Sequence, residues 1–247
     1  MKPELQHRTK AAESRTFTST PFRVDRSVYS SWVPTIQTGI LVVMGAEVMG
    51  AEVMGPDEKP RRVRMTPGAR RVLEAAERLF YEHGIHAVGV DTIAAEAGVT
   101  KKTLYDRFGS KEQIVVEYLA GRDERWRELL AGRLEAAGEG AAARVVAVFE
   151  ASRAWSARYG AKGCSMINAH AEISDPDHPA YPVITGQKRW MLDLFTGLAR
   201  DVDAAGADRL ARTLMLLHEG ALVSHGVGVL PDPFGAALDQ ARELLDT

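Results

Sequence analysis

Residues 89–111, GVDTIAAEAGVTKKTLYDRFGSK, leave this chain little choice of local fold. Ile93, Ala94 and Ala97 recur at i, i+1 and i+4, which gives a short helix one apolar face. Gly98 follows at once, and glycine readily supplies the positive φ that a sharp helix-to-helix turn requires. Thr100 is suited to cap the next helix, whose inward side is Leu104 and Phe108, four residues apart. Lys101, Lys102 and Tyr105 must then face outward, with Thr103 and Arg107 at the margins. Ser110-Lys111-Glu112-Gln113 has the spacing of a capping box opening a further helix. The result is a helix-turn-helix, and cations, a hydroxyl and an amphipathic ring on its outer side suit phosphate oxygens and base edges.

The flanking sequence is also helical. Thr66 and Pro67 form an N-cap and N1 pair. Val72, Ala75, Ala76, Leu79, Phe80 and His83 follow at helical spacing, and Gly84 stops the run. A long helix is expected from Ser110 to about Ala137, with Ile114, Tyr118, Trp126, Leu129 and Leu130 on its apolar side. Further helices are expected near residues 141–159, 164–173, 182–199, 207–227 and 233–245, with Pro176, Pro179, Pro182, Pro231 and Pro233 punctuating the intervals. No alternation of the kind that marks a strand is present, so the fold class is all-α.

Charge is unevenly distributed. The chain of 247 residues has a net charge of −2, but residues 61–127 carry 13 basic and 10 acidic side chains, and residues 128–247 carry 11 and 16. The positive segment holds the helix-turn-helix, and the acidic one would be repelled by DNA. The basic flank Lys59-Pro60-Arg61-Arg62-Val63-Arg64 could reach phosphates or a minor groove, or could be a solvated run. A single cysteine, Cys164, excludes an intramolecular disulfide framework and zinc-finger spacings, which agrees with a cytoplasmic setting. Residues 1–58 read as an N-terminal extension whose Ser, Thr, Pro and charge content suggests disorder. Within it, residues 44–48 (MGAEV) repeat at 49–53, too briefly for a solenoid. No secretory signal and no membrane-spanning run of ~20 apolar residues is expected.

Ala76, Leu79, Phe80, Gly84, Ile93-Ala94, Ala97-Gly98-Val99, Thr103-Leu104-Tyr105, Phe108 and Ser110-Lys111 together resemble the DNA-binding domain of the TetR family of bacterial transcriptional regulators. The resemblance covers about 55 residues, roughly 62–118. It implies a helix-turn-helix domain over residues 59–111 and a helical ligand-binding and dimerisation domain over 112–247. By resemblance, Lys101, Lys102 and Tyr105 approach base edges, and Thr103, Tyr105 and Lys111 hold phosphates; Arg107 completes the DNA-binding set. The sequence departs from the family at the start of the second helix, where Val88 and Gly89 stand in place of the usual threonines. Asp91 would repel the DNA backbone unless it caps the helix or accepts from cytosine N4.

The resemblance further implies a homodimer on a double-stranded DNA operator, controlled by a small-molecule effector. Thr213, Leu214, Leu217, Ala221, Leu222 and Val227, with Ala236, Ala237, Ala241 and Leu244, are expected to line its two dimerisation helices. Phe149, Trp155, Met166, Ile167, His170, Trp190, Phe195, Met215, His218 and Glu219 mix apolar walls with polar anchors and are the candidate effector-binding residues.

Catalytic patterns fail on spacing. His218-Glu219 begins like a metallopeptidase helix, but the next histidine is His225, seven residues on. His170-Ala171-Glu172 lacks the Pro-Cys-x-x-Cys of zinc deaminases, and residues 163–167 lack the closing glycine of a nucleophile elbow. The reading is therefore a regulator and not an enzyme, with no cofactor or metal expected: a repressor released by its effector, with an activator or a metal- or thiol-responsive sensor as the alternative. His170, Glu172, Asp175, Asp177 and His178 are the residues a metal would use.

Overall fold

The computed structural model describes residues 62–246; the expectations for residues 1–58, and for Lys59 and Arg61 of the basic flank, lie outside them. Among the described residues the fold is all-α: α1 (Pro67–His83), α2 (Val90–Glu96), α3 (Lys101–Phe108), α4 (Lys111–Ala136), α5 (Ala141–Tyr159), α6 (Ser165–Glu172), α7 (Tyr181–Val202), α8 (Ala207–Val227) and α9 (Pro233–Leu245). Four helix starts follow from their side-chain caps. Thr66 accepts from Ala69 N, Thr100 from Thr103 N, Ser110 from Gln113 N and Asp232 from Gly235 N, each satisfying a donor that the helix cannot. Gly89 opens α2 with no side-chain cap, and Gly98 takes φ +61° in the turn between α2 and α3.

Two apolar cores are stacked along α4. The first gathers α1, α2, α3, the opening of α4, α6 and the start of α7; the second gathers the rest of α4 and α7 with α5, α8 and α9. Every residue of α4 from Ile114 to Ala120 is buried, because α4 is covered on all sides where the first core wraps it. Of the expected apolar side, Ile114, Tyr118, Trp126 and Leu130 are buried and Leu129 is half-buried, and that side passes from one core into the other.

The first described residues are pinned to this helix. Glu117, with 0% exposure, accepts from Arg62 Nε at 2.9 Å, Val63 N at 2.5 Å and Gln113 Nε2 at 3.2 Å, and Arg62 also pairs with Glu124. Arg62 is therefore committed to neutralising a buried carboxylate, which corrects its reading as part of a free basic arm; Arg64 remains exposed.

The outward face of α8 matches the expected one only in part: Val227 is exposed, as is Ala236 of α9, but most of the other expected residues are covered. Leu214, Ala221 and Leu222 of α8, and Ala237 and Ala241 of α9, are buried inside their own protomer. The exposed apolar side of α8 is Leu216 (74%), Val223 and Val227 (69%), with Val229 and Leu230 continuing it beyond the helix.

The loop between α5 and α6 runs directly over the end of α8. A Cβ at Gly226 would lie 2.9 Å from the backbone carbonyl group of Lys162 and from Gly163 N, positions that cannot yield without moving the loop. Gly226→Ala is expected to destabilise the fold by about 1–3 kcal/mol, as overpacking does. It should appear as a lower urea midpoint with an unchanged m-value.

Candidate functional site

The outer face of the helix-turn-helix is built by burying the opposite one. Leu104 (0%) and Phe108 lock α3 into the first core, which leaves Lys101, Lys102, Tyr105 and Arg107 exposed and Thr103 at the edge. Thr103 Oγ1 lies 2.9 Å from Thr100 Oγ1, so the capping hydroxyl and this side chain are mutually oriented. Lys111 sits in the first turn of α4, half-buried, with its ammonium 6.0 Å from the centroid of the Phe80 ring.

The two lysines of α3 are paired with acids. Lys101 Nζ donates to Asp91 Oδ2 at 3.0 Å, tying α3 to α2, and Lys102 Nζ donates to Asp106 Oδ2 at 2.7 Å one turn along. Asp91 thus has a third role, neutralising its neighbour, besides the two that its sequence position suggests. All four side chains are at least half exposed, and exposed pairs of this kind contribute at most about 1 kcal/mol. A phosphate can therefore exchange with either carboxylate at little cost. Arg107 has no such partner among the described residues.

A second site lies where the two cores meet. Arg122, Asp123 and Trp126 of α4 face Ser152 and Trp155 of α5, residues 163–166, Gln187 and Lys188 of α7, and His218 and Leu222 of α8 around one cavity. It is a narrow space, about 480 Å³ when its mouth is included. Of the candidate effector residues, Trp155, Met166 and His218 line it. Phe149 and Phe195 pack edge-on against the His218 ring, with centroids 6.0 and 5.7 Å away, and form the layer behind. Trp190 carries Arg127 over its ring at 4.1 Å, and Met215 packs at the border of the second core. Ile167 is half-buried and does not line the cavity, and His170 is exposed elsewhere, against Tyr181.

Sequence reasoning missed Arg122, Asp123, Gln187 and Lys188. A signal existed for two of them: Arg122 falls between Tyr118 and Trp126, and Lys188 between Ile184 and Met191, so each is a charge on an otherwise apolar stripe. Such a charge must find buried partners. Arg122 donates to Ser165 Oγ at 2.9 Å and to the Tyr159 carbonyl at 2.5 Å, and stacks 4.4 Å from the Tyr81 centroid. Lys188 Nζ donates to both oxygens of Glu219 at 2.8 Å and approaches Cys164 Sγ at 3.4 Å.

The cavity wall is tied to the helix-turn-helix. Tyr81 of α1 donates its hydroxyl proton to the Gly163 carbonyl at 3.0 Å and accepts from Lys162 N at 2.9 Å. Glu172, ending α6, accepts from Ile85 N at 2.9 Å and His86 N at 2.7 Å, gripping the turn between α1 and α2. Among the described residues no group of three His, Cys, Asp or Glu side chains is placed to hold a metal; Glu172 is committed to the turn, and Asp175 and His178 accept backbone N–H groups nearby. No described helix is long and apolar enough to cross a membrane.

Residues 72–118, the helix-turn-helix and its flanking helices, match the family described as bacterial regulatory proteins of the tetR family. Across the whole helical fold, the chain is 31% identical to SCO4454, a TetR-family transcriptional regulator from Streptomyces coelicolor, with a TM-score of 0.67 over 72% of this chain and 94% of that one. This chain belongs to the TetR family. It is a DNA-binding transcriptional regulator, and its family are not enzymes. The regulatory protein TetR from Rhodobacter sphaeroides shares the fold at 22% identity, with a TM-score of 0.62 over 72% of this chain and 98% of that one. The HTH-type transcriptional activator FasR of Mycolicibacterium smegmatis is 43% identical over 49 residues, 20% of this chain, and the match spans only 22% of that activator's length.

In this TetR-family member, the Lys188–Glu219 pair should be visible in acid. Burial pushes the Glu219 carboxyl pKa up, but contact with His218 and the Lys188 ammonium outweigh it and hold it at about 2, below the ordinary 4.5. A depressed carboxylate pKa adds stability that is complete above the unfolded-state value and is lost as pH falls through the folded one. Wild-type stability should therefore fall between about pH 4.5 and about pH 2, and in Glu219→Gln this fall should be shallower, measured as urea midpoint against pH.

Proposed function

We propose that this protein is a homodimeric repressor that binds a palindromic operator and is released from it by a small-molecule effector. In this reading residues 59–111 read DNA, and residues 112–247 dimerise and bind the effector. The observation that carries it is the outer face of α3, where Lys101, Lys102, Tyr105 and Arg107 are exposed on a helix that Leu104 and Phe108 hold rigidly from behind. Lys101, Lys102 and Tyr105 contact base edges; Thr103, Tyr105, Arg107 and Lys111 hold phosphates. Lys111 adds its charge to the free N–H groups at the start of α4.

Dimerisation follows from reach. Two recognition helices must enter successive major grooves about 34 Å apart, which one protomer cannot do. The exposed stripe of Leu216, Val223 and Val227 is the apolar surface available for a two-fold contact, with Gly220 between them allowing close approach.

Release uses the links between cavity and DNA-reading helices. An effector that widens the cavity displaces residues 162–165 and α6, and Tyr81 and Glu172 transmit that displacement to α1 and the turn before α2. Such an effector must bind the DNA-incompetent arrangement more tightly, or it shifts nothing.

Selection of bound sequences from a random DNA pool tests the reading: the recovered sites should be palindromic and bind two protomers, and one protomer per site would overturn it. On those sites Lys111→Glu should weaken binding across all sequences and reduce the salt slope by about 1 or more. Lys102→Ala or Tyr105→Ala should instead change which sequences are preferred. The double variant Leu216→Asp/Val223→Asp should sediment as a monomer and lose roughly 10²-fold or more in operator affinity, the scale of linking two half-site contacts.

A further inference from the structure

The polar atoms of the cavity are unevenly satisfied. Four buried side-chain polar atoms among the described residues lack a hydrogen-bond partner, and three belong to residues lining this one cavity: Asp123 Oδ1, Gln187 Oε1 and His218 Nδ1. His218 Nδ1 already has a charged neighbour, Glu219 Oε1 at 3.5 Å, and its other ring nitrogen is bound to Ser152. The two oxygens have no hydrogen-bond partner. Asp123 gives only Oδ2 to Arg127, at 2.8 Å, and Gln187 is only 7% exposed.

The cationic donors on the same wall are engaged. Lys188 has Glu219 and Cys164, and Arg122 has Ser165, the Tyr159 carbonyl and Glu77 at 3.7 Å. An anionic guest would meet vacant acceptors and engaged cations. A guest carrying N–H or O–H groups would complete the wall, and an unmade bond to a buried acceptor costs about 1–3 kcal/mol. The remaining lining is Trp126, Trp155, Met166 and Leu222, and the space is narrow. Burial raises the Asp123 carboxyl pKa, partly offset by Arg127, as a carboxylate in want of a further donor would show.

We infer that the cavity takes a small, flat aromatic molecule bearing a hydrogen-bond donor, an amine or hydroxyl, which Asp123 and Gln187 accept, and that carboxylate-bearing molecules are excluded. This rests on reading the cavity as the effector site.

The test titrates the full chain with benzylamine, benzyl alcohol, toluene and benzoate, followed by tryptophan fluorescence and thermal melting. Benzylamine and benzyl alcohol should bind at least ten-fold more tightly than toluene and benzoate, and the two donors separate the cationic from the neutral source. The preference should shrink to about two-fold in Gln187→Leu and in Asp123→Asn, so that one variant suffices if the other fails to fold. Benzoate or toluene matching the donors, no binding by any of the four, or a preference that survives both substitutions would overturn the inference. Operator binding is measured in the same titrations. A donor that binds at the cavity without releasing DNA refutes the effector-released repressor and leaves the ligand chemistry standing.

Discussion

Taking the Arg122 guanidinium out of water costs several kcal/mol unless its N–H groups find partners in the protein, and here the partners come from different helices. Glu77 and the Tyr81 ring belong to α1, the Tyr159 carbonyl and the Trp155 ring to α5, and Ser165 to α6. Each is useful to Arg122 only in its place, so satisfying one buried charge fixes the arrangement of four helices. Arg122 stands midway along α4, at the point where that helix leaves the first core and joins the second. The cavity sits at the same junction. A space between two well-packed cores is where a guest can enter with least loss of packing, because neither core has to open.

The same geometry joins the cavity to the DNA-reading helices by short paths. Residues 162 and 163 grip Tyr81, and α6 grips the turn at Ile85 and His86 through both oxygens of Glu172. These are hydrogen bonds to backbone groups, which direct a displacement better than side-chain contacts that can change rotamer. The recognition face is built differently. Its lysines carry their own carboxylate partners, Asp91 and Asp106, so its charge is held in exchangeable surface pairs.

Most of the fold was legible because apolar periodicity, glycine and proline punctuate the chain, and side-chain caps mark the starts of α1, α3, α4 and α9. Thr66, Thr100 and Ser110 cap where their side chains suit, and the expected helices differ from the observed ones by at most a few residues; the widest gap is α7, which continues from Ala199 to Val202. The recognition face was legible for the same reason, since the period of a short helix settles which residues point away from Leu104 and Phe108. The cavity was not. Its candidates mixed apolar walls with polar anchors, and of these Phe149 and Phe195 lie in the layer behind His218, while Asp123 and Gln187 have no local mark that separates them from surface residues. The outward face of α8 was legible only at Val227, because Leu214 and Leu216 are equally apolar and only the packing of the neighbouring helices decides which is covered.

Periodicity, caps and glycine turns act within a few residues, so the sequence alone determines the helices, their order, the all-α class and the side chains displayed on α3. Partnering is non-local. That Arg62 pairs with Glu117, that Asp91 neutralises Lys101, and that Arg122, Asp123, Gln187 and Lys188 share one cavity all depend on distances across the fold. Those distances are set only when the two cores close on α4, and only the assembled tertiary structure decides them.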